Sequence, residues 1–554
     1  MPRLLLNAQP VDVAADSTAT LFDHAEHLGI RVPTSCRKQG KCRECIMEIT
    51  TGAEHLSAPG PEEQHLTAGF RLSCRTRLAA DAPADAEVHA HTMRRGTLRV
   101  ENEAYELPVH AAGFTPEPCV TRDGERILLD GVEIDRRPVS DPAHGIALDI
   151  GTTTVVLRLL DLESGALVAT SSFENPQRFG GSDVMARIAF DTEDKTRSLQ
   201  RTLLGYLNHA IAELPVPADS IYEVVIAGNS TMRDMFFRLS VYTIGQSPYQ
   251  SLTEHEMAEG KRDSTVLTTT AKKLGLAVHP AARLYGMPIM SGHVGADTAA
   301  CMLAADIQHE DRLVAIMDIG TNTELVLGNK DRVVAASCPA GPAFEGGQIS
   351  CGMPGLPGAI EKVMMDDDEE FTVSVIGGET ETPVGLCGSG LVSLLSELVR
   401  GDRMNRLGRF EFDEEPIEVA PGVTFSEADV NNLAQAKGAN VAGLQIIFEH
   451  FGISADQLDV FYLAGGFGRH LDLEASKRIG LIPDIPDAKI RRVGNAAVEG
   501  ACIALLSKTK RTELEALVRR VEHCRLETHP HFFDVFVEGC QFAPFQSTPT
   551  NEFS

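Results

Sequence analysis

The chain has 554 residues, 43% of them hydrophobic and 23% charged, which is enough for roughly three or four domain-sized units of ordinary globular composition. Its 78 acidic residues outnumber its 50 basic ones, giving a formal net charge of −28 and arguing against nucleic acid as a partner, since that task needs basic surface. No apolar run approaches the roughly 20 residues that span a bilayer, and MPRLLLNAQPVDV turns polar too early for a secretory signal; no membrane partner is expected, and the cytoplasm is the expected compartment.

Leu4 to Asn7 and Val11 to Ala14 read as a hairpin, Thr20 to Leu28 as an amphipathic helix, and Cys45 to Ile49 as a strand. Between helix and strand lies SCRKQGKCREC, which places Cys36, Cys42 and Cys45 in a C-x5-C-x2-C loop, with Cys74 following in GFRLSCRTRL. Three thiolates on one tight loop and a fourth from a separate segment suit the two tetrahedral irons of a [2Fe-2S] cluster. Gly40 allows an unusual backbone angle in that loop, and its backbone N–H groups can hydrogen-bond the cluster sulfurs. Structural zinc is the alternative, but it usually pairs two C-x2-C units, and Cys74 has no close second cysteine. The other eight of the 12 cysteines are scattered, which suits a reducing compartment rather than a disulfide framework.

After the strand Glu87 to Ala90, residues 93–144 carry Pro108, Pro116, Pro118, Pro138 and Pro142 and the β-like piece RILLDGVEI. They are read as a linker with a small folded insert. GIALDIGTTTVVLRLLDLESG then gives a strand, a turn and a second strand, with Asp149 beside Gly151, Thr152, Thr153 and Thr154. A near copy follows in VAIMDIGTNTELVLGN, with Asp318, Gly320, Thr321, Asn322 and Thr323. Two such hairpins facing each other can grip a nucleotide: their small turn residues let backbone N–H groups approach phosphate oxygens, and each aspartate can hold hydrated Mg²⁺ or orient the attacking water. In FYLAGGFGRHLD a third strand runs into Gly465, Gly466, Phe467 and Gly468, where backbone without side chains can lie against adenine and ribose. The run Asp366 to Glu370 reads as a solvated turn. Cys338, Cys351 and Cys387 lack cluster spacing and read as small buried hydrophobes. His293 reads as structural, and Asp297 as a support of the nucleotide cleft.

The N-terminal stretch resembles adrenodoxin-like and related [2Fe-2S] ferredoxins, of β-grasp fold, though its first gap is five residues rather than the four of the plant type. The two hairpins and the glycine-rich turn resemble the phosphate and adenosine motifs of the ATPase superfamily of actin, Hsp70 and sugar kinases. The expected fold is therefore an α+β ferredoxin domain (1–92), a linker and insert (93–144), a duplicated α/β actin-like ATPase domain (145–545, in halves of about 145–310 and 311–545) and a disordered tail (546–554). More narrowly, NPQRFGGSDVMARI, AGNSTMRDMF, HVGADTAA, CPAGPAFEGGQISCGMPGLPGAI, LCGSGLVSLLSEL, IGLIPDIP and VGNAAVEGA resemble the reductive activators of corrinoid-dependent methyltransferase systems. That resemblance implies an ATP-supported electron transfer from the cluster to cob(II)alamin on a partner corrinoid protein, with an upstream electron donor; a homodimer is among the assemblies it allows. The insert, at about fifty residues, is abbreviated relative to that family. The rival readings are a redox-sensing kinase of the sugar-kinase superfamily and an activator of another low-potential metalloenzyme.

Overall fold

The computed structural model describes every residue except 1, 8, 15–16, 94–114, 367, 369, 379, 412–414, 467 and 546–554. Much of the expected linker, Asp367 and Glu369 of the acidic run, Phe467 and the expected tail thus lie outside the described residues. Among those described, no helix is long and apolar enough to cross a membrane.

The first unit is a five-stranded mixed sheet in the order Gln9–Asp12, Arg3–Leu6, Glu87–Thr92, Ile46–Thr51, Phe70–Leu72. Arg3–Leu6 runs parallel to Glu87–Thr92, and every other neighbouring pair is antiparallel. The hairpin begins and ends earlier in the chain than its apolar pattern suggests, because Asn7 takes φ 48° and turns the backbone there. Alternation does the sorting: Leu4, Leu6, Met47, Ile49, Val88 and Ala90 share one face and pack against Leu21 and Ala25 of the helix Leu21–His27. That helix starts where it does because Thr20 and Asp23 form a capping box.

Residues 117–136 hold a three-stranded antiparallel meander, Val120–Asp123, Arg126–Leu129 and Val132–Arg136. It is docked on the larger body rather than suspended between units. Val120 and Ile127 are buried in the same core as Tyr222 and Leu505, and Asp130 pairs with Arg283 at 2.5 Å.

The body consists of two six-stranded sheets of matching topology. The first runs Leu167–Glu174, Thr154–Asp161, His144–Ile150, Ile221–Gly228, Arg283–Gly286, Leu267–Thr270; the second runs Val333–Cys338, Thr323–Gly328, Val314–Ile319, Val460–Ala464, Ile490–Gly494, with Glu522–His523 added beside Val333–Cys338. In each, three antiparallel strands are followed by two parallel ones. The central parallel strands His144–Ile150 and Ile221–Gly228 are buried along their whole length, as strands covered on both faces must be. Two helices rich in small residues, Ala296–Ala304 and Ala496–Leu506, pack between the sheets. Their approach is close enough that a Cβ on Gly500 would fall on the Ala300 backbone. Asp366, Asp368 and Glu370 of the acidic run lie between the paired strands Ala359–Met365 and Phe371–Val375.

Candidate functional sites

The four N-terminal cysteines form two pairs. Cys45 Sγ donates to Cys74 Sγ at 3.2 Å, and Cys36 hydrogen-bonds Cys42. Cys45 and Cys74 are buried, whereas Cys36 and Cys42 are partly exposed. Four thiols arranged as two pairs fit a two-iron cluster, with two thiolates for each iron. Partial burial pushes the Cys36 thiol up, but hydrogen bonds from Cys42 and the backbones of Lys41 and Gln39 outweigh it and bring it down to about 7. The same donors suit cluster sulfurs. Gly40 takes φ +72°, and a Cβ there would stand 2.6 Å from Arg75 Nε, so glycine lets Arg75 pack over the loop.

The cysteine loop rests on the body. Arg43 Nη1 donates to Thr196 Oγ1 at 2.6 Å and Ser198 Oγ at 2.5 Å. Glu44 accepts from Ser35 at 2.5 Å and lies 3.0 Å from His209 Nε2. Gly205, on the helix Ser198–Ala212, makes room: a Cβ there would sit 2.7 Å from Glu44 Cγ.

The second site is a cavity of 210 Å³ between the two sheets. It gathers Asp149, Gly151, Thr152, Thr153, Asp318, Gly320, Thr321, Asn322, Gly465 and Gly466. Thr323 does not line it; its hydroxyl is buried and has no hydrogen-bond partner among the described residues. The two hairpin turns touch across the cleft, Thr153 Oγ1 lying 2.8 Å from Thr321 Oγ1. Glu345 clasps both, accepting from Thr153 Oγ1 at 2.9 Å and also from Thr321 Oγ1. Asn495 Nδ2 donates to Asp149 Oδ2 at 3.0 Å, and Cys301 Sγ donates to Asp318 Oδ2 at 3.3 Å. Gly465 takes φ +105°, and a Cβ on it would collide with the Ile319 carbonyl.

Carboxylates dominate this cleft, and no Lys or Arg lines it among the described residues. Burial pushes Asp149 up to about 6 against the Asn495 hydrogen bond, and burial likewise holds Asp318 at about 6. Burial, reinforced by Asp149 and Asp318, brings Asp297 to about 7, and Glu324 is pushed well above the ordinary range by burial and by Asp297 and Asp318. Polyphosphate entering such a field needs a divalent cation with it. The carboxylate oxygens of Asp149 and Asp318 are hard donors of the kind that could hold a divalent cation.

Asp297, expected from the sequence to support the cleft, lines it, and Glu324 of the second hairpin, Glu345 and Asn495 complete it. The sequence carries one further signal for Asp297 and Asn495. VGADTAAC (294–301) and VGNAAVEGAC (493–502) are a second internal repeat, opening the paired helices Ala296–Ala304 and Ala496–Leu506 and setting Asp297 and Asn495 at the cleft.

A paired-thiol ferredoxin unit seated on a two-lobed, actin-like nucleotide-binding body defines the class of protein. Family models agree in the same order: the 2Fe-2S iron-sulfur cluster binding domain over residues 4–79, the RACo middle region over 144–310 and the C-terminal domain of RACo, the ASKHA domain, over 312–553. The chain belongs to the RACo family. It is 28% identical to a corrinoid activation enzyme, RamQ, of Eubacterium limosum over 96% of this chain and 98% of that one. It is 24% identical to the [Co(II) methylated amine-specific corrinoid protein] reductase of Methanosarcina barkeri over 71% of this chain and 76% of that one. A solved structure, a reductive activator for corrinoid, iron-sulfur protein, superposes with a TM-score of 0.70 at 26% identity, covering 99% of each chain.

Proposed function

We propose that this chain reductively activates a corrinoid protein of a methyltransferase system, using ATP to return an inactive cob(II)alamin to cob(I)alamin. The observation that carries this reading is the union in one chain of a two-pair thiol loop and a nucleotide cleft built from duplicated Asp-x-Gly hairpins, and the relatives named for corrinoid activation and reduction support it.

A [2Fe-2S] cluster held by Cys36, Cys42, Cys45 and Cys74 supplies one electron at a time, near roughly −400 mV for plant-type centres. Cob(I)alamin is a stronger reductant still, and each ~59 mV of mismatch costs tenfold in a one-electron equilibrium. The protein must therefore bias the partner. Asp149 and Asp318 would hold Mg²⁺ and orient water at the phosphates; the turns Gly151–Thr153 and Gly320–Asn322 would present backbone N–H groups to the phosphate oxygens; Gly465 and Gly466 would leave room for the nucleoside. Closing the two lobes around nucleotide favours one state of a docked corrinoid only through contacts that differ between its states.

Product analysis tests this reading against a kinase. With Mg²⁺ and ATP the chain is expected to release inorganic phosphate, faster in the presence of a cob(II)alamin-loaded corrinoid protein. A phosphorylated small molecule as the stoichiometric product would overturn it.

A further inference from the structure

We infer that the exposed edge of the cysteine loop is a basic docking face for an acidic, low-potential redox protein that supplies the electron. Within a chain of net charge −28, Cys36 to Cys45 carries Arg37, Lys38, Lys41 and Arg43 against Glu44 alone, and Cys74 is followed by Arg75 and Arg77. These cations divide by what they touch. Arg43 and Glu44 are turned into the body, on Ser198 and His209. Lys38 is spent on Asp23 and Glu26, at 2.7 and 2.6 Å. Arg75 packs over Gly40, donates to the Gln39 carbonyl at 2.6 Å and pairs with Glu62 at 3.3 Å. Arg37 and Lys41, each next to one of the two partly exposed cysteines, are exposed and make no ion pair among the described residues.

The buried pair Cys45 and Cys74 faces inward, so electrons enter by the Cys36–Cys42 edge, where Arg37 and Lys41 stand exposed with no ion pair among the described residues. A positive island on a strongly negative molecule orients an approaching anionic surface and repels the rest of that partner's approaches. The face is confined to the cysteine loop. A corrinoid partner that answers to the nucleotide must also touch the body, whereas a donor needs only this edge. The step is simple: one electron leaves the reduced donor, which is oxidised by one unit, and enters the oxidised cluster, with no proton or bond transferred. The inference rests on the ferredoxin unit being a one-electron carrier, which iron and sulfide content and bleaching by dithionite establish separately.

The test uses the full chain, an acidic [4Fe–4S] ferredoxin as probe and the cationic methyl viologen radical as control. Binding and stopped-flow reduction are measured at about 20 mM and about 300 mM salt, which shortens the screening length severalfold. The parent is expected to bind and accept electrons about tenfold faster at low salt. Arg37→Gln/Lys41→Gln, with its visible cluster spectrum unchanged, should lose that advantage and its salt dependence. Its reduction by methyl viologen should be equal or faster. A second variant, Lys41→Glu alone, should weaken ferredoxin binding further per charge changed. Equal ferredoxin binding by parent and double variant at low salt would overturn the inference. So would loss of corrinoid-protein binding with ferredoxin binding intact, which would assign the face to the acceptor.

Discussion

Asp149→Asn is expected to stabilise the nucleotide-free protein while abolishing its ATP turnover. Asp149 is only 9% exposed, its one hydrogen-bond donor among the described partners is Asn495, and burial raises it from 3.8 to about 6. A folded-state pKa above the unfolded one means that the native state holds the proton more tightly. The resulting destabilisation is absent below about pH 4, develops as pH rises, and is complete above about pH 6. At 1.36 kcal/mol per unit, the shift of roughly two units amounts to about 3 kcal/mol at pH 8 and about half that at pH 5. Asparagine keeps the shape and an acceptor for Asn495 Nδ2 but carries no charge to bury. Urea unfolding of the nucleotide-free protein, followed by far-UV circular dichroism, should show the variant ahead by about 3 kcal/mol at pH 8, with the gap shrinking as pH falls. A variant less stable than the parent at pH 8, or a gap that ignores pH, would refute the reasoning. Loss of Mg²⁺-dependent ATP turnover in the same variant would show that the strained charge is kept for the metal.

Because Asp149, Asp297 and Asp318 are all held high, protons should compete with Mg²⁺: apparent Mg²⁺-ATP affinity, read by calorimetry, should fall as pH drops from about 8 to about 5.5, and flat affinity across that range would contradict the placement of the metal. Cys42→Ser should remove or destabilise the cluster and leave ATP binding intact; parent protein is expected to carry about two irons and two sulfides per chain, and stoichiometric zinc without sulfide would defeat the cluster assignment. Gly465→Ala places a Cβ on the Ile319 carbonyl at a positive φ, so it should weaken nucleotide binding at least tenfold without bleaching the cluster, and unchanged affinity would show that the turn can move aside.

Local chemistry made some of this legible in the sequence. The cysteine spacing is a property of one loop, and the paired Asp-x-Gly hairpins are each complete within about twenty residues, so their residues could be named before any packing was known. Asp318 and Asp149 therefore meet in the cavity from readings made separately. Glu345 was out of reach because its role exists only where Thr153 and Thr321, 168 positions apart, touch. The clasp joins three distant segments and leaves no periodic mark. The docking of residues 117–136 was hidden for a similar reason: prolines announced a linker, but the burial of Val120 and Ile127 depends on Tyr222 and Leu505, far along the chain. Thr323 shows the reverse error of adjacency, since strand alternation carries the residue after a turn away from the face that its neighbours serve.

The most direct test of the central claim is an anaerobic absorbance experiment. Dithionite-reduced protein is mixed with a cob(II)alamin-loaded corrinoid protein, and the cobalt state is followed with Mg²⁺-ATP present or withheld. Conversion to cob(I)alamin, or to methylcob(III)alamin when a methyl donor system is supplied, should occur with ATP, fail without it, and fail with Asp149→Asn. Full conversion without ATP, or by residues 1–92 alone, would show that the large domain does not drive the transfer.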